Sequence, residues 1–166
     1  MILSSKLAAA EKELELRYET LNDAKKRLAI TDDIFAKTTI KQRIREEVIP
    51  EIRQCEAEYW DLLAQKAGSC TVEEVDARNA IVEVVGEVEV MESQAAIKYP
   101  DELIQLLREI IDKLNEPGTP AAAKAKLALP LIPGILAYEL ELDTENTLRK
   151  ILQPIQRLFR NAAEKK

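Results

Sequence analysis

The chain has 166 residues, a third of them charged and only 4% aromatic, with two cysteines, no histidine and a net charge of −6. Abundant Ala, Leu, Glu, Lys and Arg with few aromatics is the profile of helical bundles rather than sandwiches or barrels, and the acidic balance argues against general polyanion binding, nucleic acid included. Without histidine, acid–base chemistry near neutrality would fall to carboxylates, lysine or cysteine, so an all-α protein that is not an enzyme is expected.

A leucine recurs every seventh residue at Leu7, Leu14, Leu21 and Leu28, with Leu3, Ala10 and Ala24 in the alternate slots. Apolar groups spaced alternately four and three apart form one stripe on a helix, which another helix covers best. No glycine precedes Gly68, so the spacing predicts a helix over about 3–29 and a joint near Thr31, Asp32 and Asp33. A second helix then starts from a Thr31 or Asp32 cap. Its stripe is Ile40, Ile44, Val48, Ile52, Cys55, Tyr59 and Leu62. Residues 1–67 are therefore expected to form a long antiparallel, coiled-coil-like hairpin. Leu7, Leu14, Leu21, Leu28, Ile44 and Ile52 make its interaction seam, closed by the chain itself or by a second copy. Pro50 removes one helical hydrogen bond and predicts a kink or break at Ile49. Ala67, Gly68 and Ser69 end the hairpin.

Residues 71–116 form an acidic helical section, with a net charge of −8 from Val72 to Glu116. Thr71 and Glu74 have the spacing of a capping box at its start. Val82, Val84, Val88 and Val90 alternate with glutamates as in a strand, while Ile81, Val85, Val88 and Met91 fit a helix. The cap, the length and the absence of proline favour helix. Tyr99, Pro100, Asp101 and Glu102 open a cleaner helix carrying Leu103, Leu106, Leu107, Ile110, Ile111 and Leu114 on one face, stopped by Asn115 to Gly118.

Residues 117–134 read as a Pro/Ala-rich connector or a short helix with Thr119 and Pro120 at its start. Leu136, Tyr138, Leu140 and Leu142 alternate with polar or small residues, which allows a short β element over 135–142. The section 135–166 ends in an amphipathic helix capped by Asp143 or Thr144. Leu148, Ile151, Leu152, Ile155, Leu158 and Phe159 share one side of it. Arg149, Lys150, Arg157 and Arg160 make a basic face, and the charge from Thr147 to Lys166 is +5. Pro154 implies a kink. Such a helix covers its own core, enters a partner's groove or lies on anionic lipid.

No catalytic, cofactor-binding or metal-binding set stands out. The carboxylates lie along helix exteriors as solvated faces, and two cysteines fifteen positions apart without histidine cannot build a structural zinc site. Asp143, Glu145 and Asn146 lack EF-hand spacing. Cys55 and Cys70 read as free thiols of a reducing compartment. Met1 to Lys6 lacks the apolar core of a secretory signal, and the apolar run from Leu127 to Tyr138 is short for a bilayer and interrupted by Pro130 and Pro133. Cytoplasmic placement is expected.

The stretch LALPLIPGILAYELELDTENTLRKILQPIQRLF, Leu127 to Phe159, resembles cyanobacterial effector-associated, death-domain-like modules that accompany caspase-like, TIR, NACHT or pentapeptide-repeat regions. The helical pair Leu3 to Ala64 and the YPDE-led helix at Tyr99 to Leu114 extend the likeness over most of the chain. The resemblance implies a small adaptor that recruits by like-with-like contacts and carries no catalytic residues. No effector domain is attached here, a departure that points to a stand-alone subunit. Pattern and resemblance together lead to the expectation of protein–protein interaction or self-assembly as a homo-oligomer, with peripheral membrane binding through the basic C-terminal helix as the alternative.

Overall fold

In the computed structural model, which describes residues 2–93, 99–142 and 147–164, every regular element among the described residues is a helix. The chain divides into two compact units, Met1–Leu62 and Leu63–Lys166. Their border falls inside one helix, ahead of the Gly68 stop.

In the first unit, α1 spans Ile2–Ile30 and α2 spans Ile34–Arg43. The cap of α2 is Asp33, whose carboxylate accepts the Ala36 amide at 3.1 Å, and not Thr31 or Asp32. The Thr31 hydroxyl instead bonds back to the Arg27 carbonyl, closing the end of α1. A π-helical turn, Ile44–Val48, leads directly into α3, Ile49–Ala67. Pro50 therefore neither breaks the helix nor ends it. Proline at this position clashes with the carbonyl four residues back in a regular α-helix; the wider π turn, in which the Ile49 amide bonds the Ile44 carbonyl, makes room for the ring.

The same turn explains the stripe. Steps of four from Ile40 through Ile44 and Val48 to Ile52 would each drift about 40° around an α-helix of 3.6 residues per turn, and the π turn takes up that drift. Ile40, Ile44 and Val48 are half-buried and Ile52 is fully buried, between neighbours that are mostly exposed. α1 and α3 run antiparallel, since Arg17 reaches Glu51 at 2.7 Å while Ala9 and Ala10 sit beside Glu58 and Leu62. The seam is thus closed by the chain's own helices. Leu7, Leu14 and Leu21 are buried and Leu28 is half-buried.

Among the described residues the second unit holds the end of α3 and five further α-helices: α4 (Glu74–Ser93), α5 (Asp101–Leu114), α6 (Ala121–Ala128), α7 (Ile132–Leu142) and α8 (Thr147–Glu164). A 3-10 turn, Leu129–Leu131, joins α6 to α7. α4 packs on α8 and α6, α5 on α6 and α7, and α7 on α8. Small side chains permit the close approach of α6, whose Ala121, Ala125 and Ala128 are buried. Gly118, at φ 79°, makes the turn after α5, a backbone region that side chains other than glycine disfavour.

Residues 81–90 are helical. α4 buries Ala77, Ala80, Ile81, Val84, Val88 and Met91, a three-and-four pattern, and leaves Val82 and Val90 exposed. The β element expected over 135–142 is corrected to helix α7. Among its described side chains the buried ones are Ile132, Ile135, Leu136 and Glu139, a helical series interrupted by a polar member, which left the alternating leucines as the visible pattern. Residues 117–134 contain α6 rather than an extended connector. α8 is continuous through Pro154 and buries Leu148, Ile151, Leu152, Ile155 and Phe159. Asp143 and Thr144, Lys165 and Lys166, and the side chain of Leu3 lie outside the described residues. The stretch Ala121–Leu140 is long and apolar enough to cross a membrane by length and composition alone, yet its Ala125, Ala128, Ile132 and Ile135 are fully buried in this unit.

Two substitutions test this packing. Gly86 is exposed within α4, and a Cβ there would meet nothing within 4 Å, so Gly86→Ala should stabilise the protein by about 0.5–1 kcal/mol, the cost of glycine inside a helix; an unchanged or lowered midpoint in denaturant melts would count against this packing. Leu14→Ala should cost about 2–4 kcal/mol, as truncation of a buried leucine does, with Leu28→Ala costing clearly less.

Candidate functional site

Among the described residues no group of His, Cys, Asp and Glu could hold a metal ion. Cys55 and Cys70 are unpaired with each other. The Cys55 thiol is raised above its ordinary pKa by burial, with Glu13 adding to the effect and Arg17 opposing it, so it is held protonated and poorly nucleophilic.

Among the described residues three charged side chains are buried: Glu56, Lys66 and Glu139. Glu56 accepts the Tyr18 hydroxyl at 2.6 Å and the Trp60 indole N–H at 3.0 Å, tying α1 to α3 inside the first unit. The Trp60 ring lies edge-on to Tyr59 with centroids 5.7 Å apart, a favourable aromatic geometry. Glu139 Oε2 accepts the Leu148 amide at 3.3 Å, in the first turn of α8.

Glu74 has a role that local spacing disguised. Its carboxylate accepts the amides of Ala121 at 2.7 Å and Ala122 at 3.1 Å. The residue thus caps α6, 47 positions downstream, rather than completing a box with Thr71. Pro120, ahead of α6, makes no side-chain cap of its own. The two amide bonds, Ala121 foremost, hold the Glu74 carboxyl below its ordinary pKa, helped by Arg78 and Lys124 and opposed by partial burial.

The basic residues of α8 separate into two pairs. Lys150 and Arg157 are exposed and border a groove against α4, whereas Arg149 is half-buried and Arg160 pairs with Glu164 at 3.6 Å. The groove consists of two adjoining hollows, of about 560 Å³ and about 510 Å³. Asp76, Glu83 and Glu87 line the α4 side; Glu83, Pro154 and Arg157 border both hollows. Among the described residues no ion pair bridges the acidic row to Lys150 or Arg157. Pro154 also removes the amide that would otherwise bond the Lys150 carbonyl. Opposite charges therefore face one recess without neutralising each other. On the apolar side of α8, by contrast, Leu148, Ile151, Leu152, Ile155 and Phe159 are buried while Leu158 is half-buried at the groove, and Leu7, Leu14, Leu21 and Ile52 of the hairpin are buried as well.

The basic face was legible from the spacing of the tail, but its groove was not, because no pattern in the sequence says that α4 lies beside α8. Glu56 and Glu139 were also missed, and Glu74 was assigned to the start of its own helix: each acts on a group of another turn or helix. No family model, curated protein or solved structure matches this chain.

The Glu74 cap predicts an acid-sensitive second unit. A carboxyl whose pKa is lowered by folding contributes stability that is complete above its ordinary pKa and is lost as the pH falls through the lower, folded-state value. Glu74→Gln should therefore lower the melting temperature at neutral pH and flatten the decline of stability below the ordinary carboxylate range. Parallel acid limbs for the two proteins in thermal melts would remove this role.

Proposed function

We propose that this chain is a non-enzymatic helical module for protein–protein interaction or self-assembly, docking through the α4–α8 groove. The observation that carries this reading is the placement of an acidic row opposite Lys150 and Arg157 across a recess that, among the described residues, no ion pair closes. A helix or segment of mixed charge would satisfy both sides, and such complementarity favours encounter and selects against wrong partners. The likeness of Leu127 to Phe159 to effector-associated modules supports an adaptor role in a cytoplasmic bacterial signalling or defence system. The alternative, lipid binding by the C-terminal helix, has less support: Leu152, Ile155 and Phe159 would have to leave the core before they could enter a bilayer.

Charge reversal in the groove tests the reading. If a second copy is the partner, light scattering should give a mass above the 18.7 kDa of one chain. Glu83→Lys or Arg157→Glu should weaken the association at least about ten-fold, the equivalent of 1.4 kcal/mol, while leaving the melting curve nearly unchanged, as surface substitutions do. A protein that stays monomeric restricts the reading to a foreign partner, which a photocrosslinker at position 83 should trap in native cells. Absence of both signals would remove the groove.

A further inference from the structure

A separate surface, at the turn of the N-terminal hairpin, goes beyond this reading and does not depend on it. Ile30, Ile34 and Phe35 are 80%, 70% and 79% exposed. Three large apolar side chains within residues 30–35 face water, whereas the other exposed large hydrophobics among the described residues are scattered singly along helices. α2 buries none of its residues. The surrounding charge is opposite to that of the chain. Residues 25–43 carry Lys25, Lys26, Arg27, Lys37, Lys41 and Arg43 against Asp32 and Asp33, a net +4 on a protein of −6.

The arrangement along the two helices is graded. With a rise of 1.5 Å per residue, Arg27 is set back about 4.5 Å from Ile30, and Lys37 and Lys41 about 4.5 Å and about 10 Å from Ile34. An apolar end with cations a few ångströms behind it matches the acyl boundary and the phosphate level of an anionic bilayer, where long basic side chains extend toward the headgroups. Three acidic groups oppose this: Asp23, seven residues before Ile30 and so set back as far as Lys41, together with Asp32 and Asp33. The Asp33 carboxylate is held on the Ala36 amide as a helix cap, and Asp32 is exposed. A second copy docking turn to turn would bring two +4 regions together, so like-charge repulsion disfavours it.

We propose that the turn formed by Ile30, Ile34 and Phe35, with its basic surround, docks on an anionic membrane surface. The test is co-sedimentation of the full chain with phosphatidylcholine vesicles carrying about a third phosphatidylserine, the anionic component that attracts basic residues. Binding should fall at least about ten-fold with phosphatidylcholine alone, or when salt rises from about 0.1 M to about 0.5 M and shortens the screening length. The double variant Ile34→Ser, Phe35→Ser should lose binding with its melting curve intact, and Asp32→Asn should strengthen binding. Should the double variant fail to fold, Lys37→Gln with Lys41→Gln carries the same test. Arg149→Gln with Arg160→Gln, in the C-terminal helix and outside the groove, should leave vesicle binding unchanged. The proposal is overturned by absence of sedimentation, by binding that the tail pair abolishes and the turn variants do not, or by a dimer that dissociates on Phe35→Ser without any vesicle binding.

Discussion

A short helix preceded by proline and filled with alanine has no side chain of its own with which to satisfy its first amides, and the second unit depends on how that need is met. Glu74 reaches across from the start of α4 and accepts two of them at once. An unsatisfied amide at a partly buried helix end is costly, so the cap fixes where α6 begins and keeps its alanine face against α4 and α5. With α6 in place, the 3-10 turn and α7 follow, and Glu139 on α7 accepts an amide in the first turn of α8. Carboxylates of one helix thus serve the termini of helices later in the chain, and these caps order a unit with little aromatic volume.

The first unit meets the same shortage differently. Glu56 collects a tyrosine and a tryptophan donor in its interior, each placed by a different helix. Buried polar atoms joined in this way specify one arrangement more sharply than leucines alone. The small residues Ala9 and Ala10 leave a hollow of about 280 Å³ beside Cys55, while Leu7, Leu14 and Leu21 close the remainder.

Periodicity made most of the helices legible. The leucine stripe of α1, the faces of α5 and α8, the start of α2 to within a residue or two and the end of α3 at Ala67 all follow from apolar spacing and turn signals, whereas the end of α2 at Arg43 does not. The pattern failed where burial and polarity disagreed. Glu139 occupies a core position of α7, so the helical series there had a gap and the alternation of Leu136, Tyr138, Leu140 and Leu142 took its place. Three successive steps of four in the second stripe were a sign of a wider turn, and Pro50 beside them was the reason; taken separately, each pointed only to a kink. Glu74 shows a different limit: a Thr-x-x-Glu spacing cannot reveal that the carboxylate serves a helix far along the chain. The groove between α4 and α8 and the exposed turn at Ile30 to Phe35 belong to tertiary placement, which spacing alone does not encode.

The lone tryptophan has an optical consequence. Trp60 is buried beside Tyr59 in the first unit, bonded to Glu56, and no other residue of the chain shares its emission band. Its fluorescence therefore follows disassembly of the hairpin side, while far-ultraviolet ellipticity sums the helices of both units. Coincidence of the two signals through a denaturant titration is the mark of a single cooperative transition. Their separation would mean that the border within α3 divides two folding units as well as two packing units.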